Sequence, residues 1–366
     1  MRPVLFHIPI LDIPVYGYGL MLFFAFIACN FLARRLCKRE GIDGTFIPDL
    51  AICLFITGIL GGRIVYVRQY WETTPEYIGF DQKPLLDVVK LWDGGLVLYG
   101  ALFGGALGYF GFWWFVLRKQ GVSNWKMLDV VAPCLALGVA FGRIGCLCTG
   151  CCYGDVAGAS CPQPLHFPYA SPAWAKMVGR GYQTPLGLVF DGDSLTIKAA
   201  EPGSPAASVV KPGDVLVEFN GKAALTQSGL WHPGGELRLT VFRDGEVVEL
   251  PAFLPTSIGV NPTQIFETIS MVLLVFLLLS YYPYKRHDGE LLVIFMLCYG
   301  IHRFLNEMLR TDTDPVFGTG LTLSQNVSIL VLAAAVILGV FVWRRPIEPP
   351  GFPSPPAPDR AAPELL

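Results

Sequence analysis

Residues 15–33 read VYGYGLMLFFAFIACNFLA, an uncharged run followed at once by Arg34, Arg35, Lys38 and Arg39. A helix needs roughly 20 mainly apolar residues to cross a bilayer, so this run is long enough. A cleaved signal peptide places its basic residues before the apolar core and a small-residue cleavage site after it. Here the order is reversed. The run therefore predicts a retained helix with its N-terminus outside.

Six further runs of the same kind extend the pattern, at 49–68, 95–117, 127–148, 262–283, 291–309 and 323–343, giving seven predicted spans. Basic residues cluster in the short connections: Arg118, Lys119 and Lys126, then Lys285 and Arg286, then Arg344 and Arg345. Cytoplasmic loops carry such an excess, so the predicted topology is N-out and C-in. The longer segments 69–94, 149–261 and 310–322 then lie on the exported face of a bacterial inner membrane. Composition agrees, with 53% of the 366 residues hydrophobic and 15% charged, against about 25% charge in soluble domains. Net charge is −2, which leaves no basic excess for a nucleic-acid partner. The expected class is an all-α polytopic membrane protein. Its core is built from 1–160 (spans one to four) and 261–345 (spans five to seven), with a disordered Pro-rich tail at 346–366.

Residues 191–255 contain no span and read as short strands broken by Gly, Pro and Asp. GSPA (203–206), PGDVLVEFNG (212–221) and LTVFRDG (239–245) occur in that order. Together they resemble a PDZ domain of the bacterial envelope type. Such a module implies a periplasmic peptide or envelope-protein partner bound by strand addition. A structural lid that binds no peptide is the competing reading.

Ionisable residues are costly in lipid and mark candidate sites. Arg63 lies in the second predicted span, Asp129 and Arg143 in the fourth, Gln264 and Glu267 in the fifth, and His302, Arg303 and Glu307 in the sixth. Tyr299, Arg303 and Glu307 are spaced i, i+4, i+8 and share a helix face, so Arg303 and Glu307 can pair. Two guanidinium groups near one leaflet repel unless something anionic separates them. A lipid phosphate fits, because the guanidinium fork matches phosphate oxygens. Glycines at 61, 62, 94, 95, 104, 105, 142 and 145 would let helices and a headgroup approach closely.

In order along the chain stand GYGLM (17–21), GGRIVYV (61–67), DGGLVLYGALFGG (93–105), DVVAPCLALGVAFGRIGC (129–146), NPTQIFE (261–267) and YGIHRFLNEMLR (299–310). Together these motifs resemble the prolipoprotein diacylglyceryl transferase family, over all the spans but not the insert or the tail. The resemblance implies transfer of the diacylglyceryl group of phosphatidylglycerol to the lipobox cysteine of a prolipoprotein. A thioether forms and glycerol-1-phosphate leaves, with no metal or organic cofactor. It implies essential arginines at Arg143 and Arg303, with Tyr299 and Glu307 on the second arginine's face. Tyr18, Gly154, Gln264, Glu267 and Arg63 are implied around the substrates, and Asp129 as a structural group. Two positions depart from the family pattern. Tyr99 stands where many members have a histidine proposed to deprotonate the thiol, and Cys146 replaces an asparagine. Those departures leave open an alternative from another class, a non-catalytic lipid-binding scaffold that recruits envelope proteins through the insert.

Cys146, Cys148, Cys151 and Cys152 crowd one stretch, with Cys161 close by. The single C-x-x-C has no partner motif at zinc-site spacing. On an exported face disulfides are the expected state, and a bridge from Cys161 to Cys151 or Cys152 is predicted. Cys29, Cys37, Cys53, Cys134 and Cys298 read as small hydrophobes. No H-E-x-x-H and no G-x-S-x-G occurs, which argues against an intramembrane metalloprotease or serine hydrolase. His302 lies about 100° around the helix from Arg303, so a structural role is expected of it.

Overall fold

The computed structural model describes residues 4–8, 13–70, 95–158, 161–169, 171–192, 194–223, 236–310, 315–316 and 318–345. The tail expected at 346–366, and Gly94 with most of the loop before it, lie outside the described residues. The long helices are α1 (Gly17–Arg39), α2 (Ile47–Tyr70), α3 (Leu98–Phe115) and α4 (Asn124–Thr149), then, after a short helix α5 (Pro172–Gly179), α6 (Thr263–Tyr281), α7 (Glu290–Glu307) and α8 (Leu323–Trp343). Among the described residues, all of the long helices except α7 are long and apolar enough to cross a membrane, six candidate spans in place of the expected seven. α7 carries Glu290, Arg303 and Glu307 within its 18 residues, and that charge makes it fall short. Elsewhere the outward faces suit lipid: Phe31 and Phe115 are each 67% exposed and Ile337 72%, apolar area that water would penalise. The chain forms two compact units. One comprises Met1–Ala25, Val139–Leu273 and Leu297–Ala334; the other comprises Phe26–Gly138, Leu274–Met296 and Ala335–Leu366.

In the second of these units α2 and α3 meet along a glycine seam. Gly100, Gly104 and Gly108 repeat every fourth residue on α3, and small residues at that spacing let helix backbones touch. A methyl group on Gly104 would run into the Thr57 carbonyl and come within 3.0 Å of the Gly61 Cα. Asp129 is fully buried in this unit. Its Oδ1 accepts from Leu291 N (3.0 Å) and Leu292 N (3.4 Å), and its Oδ2 from Gly289 N at 2.8 Å. A carboxylate there satisfies orphan amides at the start of α7 and opposes the positive end of the helix dipole. Lys285 Nζ also meets Asp129 (3.2 Å), Glu40 (2.6 Å) and Asp288 (3.1 Å). Burial alone would lower the Lys285 ammonium pKa, but those carboxylates more than offset it and hold the group above the ordinary lysine range. Asp129 is thus structural.

The other unit begins with an antiparallel hairpin of β1 (Val4–Ile8) and β2 (Ile13–Tyr16). It also contains a β-rich region within 186–253: β3 (Leu188–Phe190) pairs with β4 (Ile197–Ala200), and a four-stranded antiparallel sheet has the order β6-β5-β7-β8. Its strands are β5 (Val215–Phe219), β6 (Lys222–Ala223), β7 (Leu239–Arg243) and β8 (Glu246–Glu249). Asn220-Gly221 and Asp244-Gly245 close the two hairpins with all four residues at positive φ, the requirement of the tight turn that matches strand twist. On β7, Leu239 and Val241 point inward by the two-residue period. On β5 the inward pair is Leu216 and Phe219, three apart, because the register shifts between Leu216 and Glu218. A bulge of this kind re-aims a side chain by one position. These residues form a core with Leu188, Ile197, Leu237 and Leu250. At its edge Arg243 donates Nε and Nη2 to the two Asp214 oxygens, each at 2.7 Å. The Arg243 hydrogen bonds hold the Asp214 carboxyl below the usual carboxylate range.

The ten cysteines are all free thiols, so the predicted bridge from Cys161 does not form. Cys151 and Cys152 face Cys146 instead, because the turn after α4 folds the loop back on the helix end. The amides of Gly150 and Cys151 both donate to the Cys146 carbonyl, at 2.9 and 3.1 Å.

Candidate functional site

The unit that holds the C-terminal half of α4 also holds the start of α6 and the C-terminal half of α7. Arg143 sits nearly two turns before the end of α4, and its Nε lies 2.9 Å from Glu267 Oε2 on α6. Arg303 on α7 reaches the same oxygen with Nη1 at 3.8 Å, while its Nη2 lies 2.9 Å from Glu307 Oε2. That Nη2 also donates to Ser324 Oγ on α8 at 2.7 Å. The group between the two guanidiniums is thus a protein carboxylate, Glu267, which is 1% exposed. Asn306 Nδ2 adds a hydrogen bond to Glu267 Oε2 at 3.0 Å. Glu307 is braced by Arg310 Nη1 (3.4 Å) and by the Thr322 hydroxyl (3.2 Å). Glu267 would keep Arg303 and Asn306 as partners if Arg143 were removed.

The network is not fully satisfied. Arg303 Nη1, Glu267 Oε1, Gln264 Oε1, His302 Nε2 and Asn306 Oδ1 are buried and lack a hydrogen-bond partner. Buried polar atoms are bonded in the large majority of cases, so a group of exceptions on two helices marks a place where something else supplies partners.

A second layer forms around the loop after α4. Gln264 Nε2 donates to the Cys151 carbonyl and Thr263 Oγ1 to the Cys152 carbonyl, both at 2.8 Å. Gly154 N donates to Asn261 O (3.0 Å), and Asp155 N to Leu309 O (2.8 Å). Gly154 is required for close approach: a Cβ there would lie 2.8 Å from Asn261 O and 2.9 Å from Leu309 O. The Tyr18 ring packs on Gly145, and Tyr18 interacts electrostatically with Arg143, Cys146, Cys151 and Cys152. Tyr299 acts on Arg143 in the same way. The sulfurs of Cys146, Cys151 and Cys152 lie within 4.8 Å of one another.

The structure therefore gathers Arg143, Arg303, Glu267, Glu307, Tyr299, Gln264, Gly154, Tyr18 and Cys146 in one unit. Arg63 and Tyr99 belong to the other unit. There Arg63 Nη1 donates to Gly95 O at 3.2 Å, its Cζ lies 5.3 Å from the Tyr66 ring centre, and Tyr99 is half-buried in the first turn of α3. Gln264 and Glu267 use the contacts seen here on the protein itself rather than on a substrate. Sequence reasoning passed over Asn306, Arg310, Thr322 and Ser324. Arg310 was within reach, since it lies three residues past Glu307 on the same face. Thr322 and Ser324 carry a fainter signal, as polar residues at the head of an apolar run.

A family model for prolipoprotein diacylglyceryl transferase matches residues 3–341. The chain belongs to this family. It is 31% identical to a phosphatidylglycerol–prolipoprotein diacylglyceryl transferase of Rhodopirellula baltica, over 91% of this chain and 73% of that protein. It is 27% identical to the enzyme of that name from Clostridium tetani, over 94% of this chain and 97% of the relative. A Thermosynechococcus vestitus transferase of the same name shares 36% identity over 41% of the chain and 52% of its own length. The diacylglyceryl transferase name runs through these relatives, and nothing in them favours the scaffold reading.

Proposed function

We propose that the protein transfers the diacylglyceryl group of phosphatidylglycerol to the lipobox cysteine thiol of prolipoproteins, forming a thioether and releasing glycerol-1-phosphate. The observation that carries this reading is the pair of arginines on two helices sharing Glu267, with Arg303 Nη1 buried and lacking a hydrogen-bond partner. Glu267 fixes both guanidiniums, and Arg303 keeps an N–H for a phosphate oxygen. As the bond from the glyceryl carbon to the phosphate oxygen breaks, negative charge grows on the leaving phosphate. Donors held in advance at that place lower the barrier without reorganising, worth about 100- to 1,000-fold in rate per donor.

In this reading Arg143 and Arg303 bind and stabilise the phosphate, and Glu307 and Tyr299 orient them. Tyr18, Gly154, Gln264 and Cys146 shape the substrate side, while Arg63 and Tyr99, both in the other unit, contact lipid. The chain crosses a bacterial inner membrane seven times, N-out and C-in, with α7 carried through lipid by its ion pairs. The blocks 1–160 and 261–345 form the membrane core. Residues 191–255 form a periplasmic PDZ-like module that presents the exported part of the substrate or an envelope partner; the two tight hairpins and the separate apolar core support that reading.

The test is transfer from phosphatidylglycerol to a lipobox peptide by the full-length protein in nanodiscs. Wild type should label the peptide cysteine, and R143A should lose about 100-fold or more. Equal labelling by a folded R143A protein would overturn the assignment. R303K keeps the charge but not the fork, so activity should fall with membrane insertion unchanged.

A further inference from the structure

We infer that Cys146, Cys151 and Cys152 form a three-sulfur zinc site whose fourth position takes the thiol of the substrate cysteine. The three sulfurs all lie within 4.8 Å of one another. Tetrahedral zinc with bonds of about 2.3 Å would hold them about 3.8 Å apart, a change that side-chain rotation covers. Among the described residues no fourth His, Cys, Asp or Glu atom joins the group. Structural zinc sites close with four protein ligands, whereas catalytic ones keep three and leave one position open.

The backbone presents the thiols. Cys146 comes from the last turn of α4, and the other two from the loop beyond Gly150. Cys152 sits at φ 58°, in the left-handed region. A non-glycine residue there is strained and persists only where its surroundings impose it. The imposing contacts are the Gln264 and Thr263 side chains on the Cys151 and Cys152 carbonyls. Clamped carbonyls fix the backbone from which both side chains project. Charge also fits: zinc with three thiolates carries −1, or −2 once a substrate thiolate joins. Arg143 and Arg310 act electrostatically on the Cys152 sulfur, and both are cations.

The inference rests on the transferase reading and adds how the thiol is activated. A thiol bound to zinc gives up its proton outright, here to water. The thiolate lone pair then forms the S–C bond to the glyceryl carbon while the C–O bond to phosphate breaks, its electron pair staying on the phosphate oxygen. The thioether product carries no charge and is the weaker ligand, so it leaves. No oxidant or reductant is consumed.

Cobalt(II), which takes the zinc geometry and absorbs, is the probe for the full-length protein in nanodiscs, stripped of metal under reductant. About one ion per chain should bind with a sulfur-to-cobalt charge-transfer band. C151S or C152S alone should weaken binding at least about tenfold, beyond the loss of an outer-shell partner. The double variant should lose the band, and R143A should keep it. A lipobox peptide should intensify the band, and the same peptide with serine for its cysteine should not. No band in wild type, or a disulfide joining two of the three thiols under reductant, overturns the site. A band indifferent to the cysteine peptide overturns the open position. Unimpaired transfer by the double variant overturns the metal's role while the transferase reading stands. Cobalt binding with no transfer by wild type sinks that reading and leaves the site.

Discussion

Among the described residues two buried ionic clusters, around Asp129 and around Arg143, are finished to different degrees. Around Asp129 both carboxylate oxygens are taken, by three amides and by Lys285. Glu290 nearby accepts from Tyr281, from His287 and from two amides. Around Arg143 and Arg303, five polar atoms stay buried without a hydrogen-bond partner. Each such atom costs roughly 1–3 kcal/mol. A chain that bonds Asp129 completely has the means to avoid that cost. Where it is accepted, folding is not what the group serves. The complete cluster locks the start of α7, and the incomplete one keeps valences open at its end.

Breaking each cluster should separate stability from chemistry. The largest effect is expected for D129A, which strands three helix amides and removes one of the three carboxylates around Lys285. It should cost about 3–5 kcal/mol, read as a lowered unfolding midpoint in detergent. R143A should show the opposite profile, losing transfer about 100-fold or more at a midpoint close to wild type. If R143A unfolded as readily as D129A, the contrast between the clusters would collapse.

G154A sharpens the picture from the side of the loop. The added methyl meets the Asn261 and Leu309 carbonyls, so about 1–3 kcal/mol of overpacking should appear, with weaker transfer because the loop after α4 shifts. The smallest effect belongs to the β-rich region. Asp214 has its pKa lowered by Arg243, so the stability it adds is complete above the unfolded carboxylate range and is lost as pH falls through the folded value. D214N should remove about 1–2 kcal/mol at neutral pH and flatten the acid limb of that region's unfolding curve, with transfer to a short peptide unchanged.

Much of this was legible in the sequence because helices and tight hairpins are local. The fourth predicted span, 127–148, lies inside α4, and the i, i+4 pair of Arg303 and Glu307 forms at 2.9 Å. Asn220-Gly221 and Asp244-Gly245 announce their turns through the positive φ they need. What pattern could not reach depends on distant residues meeting. Glu267 lies 124 positions from Arg143, and no periodicity on either helix says that a carboxylate rather than a phosphate stands between the arginines. The cysteines fail similarly. Compartment chemistry suggested a bridge to Cys161, whereas the turn after Gly150 decides which sulfurs meet. The hairpin of β1 and β2 was missed because its prolines and short strands resemble a loop.

One further consequence lies in how the β-rich region is attached. Residues 156–168 pair with 256–260 through bridges Val156–Val260, Leu165–Val260 and Pro168–Thr256, and Phe167 and Ser257 exchange hydrogen bonds of 2.9 and 2.7 Å. Entry and exit are thus clasped side by side before the region begins. Because closing a longer loop adds only about 0.6 kcal/mol per doubling, whatever hangs beyond that clasp can lengthen, shrink or be exchanged as a cassette. The long helices would register little of the change, so the length and sequence of this region can drift while the site at the ends of α4 and α7 stays put.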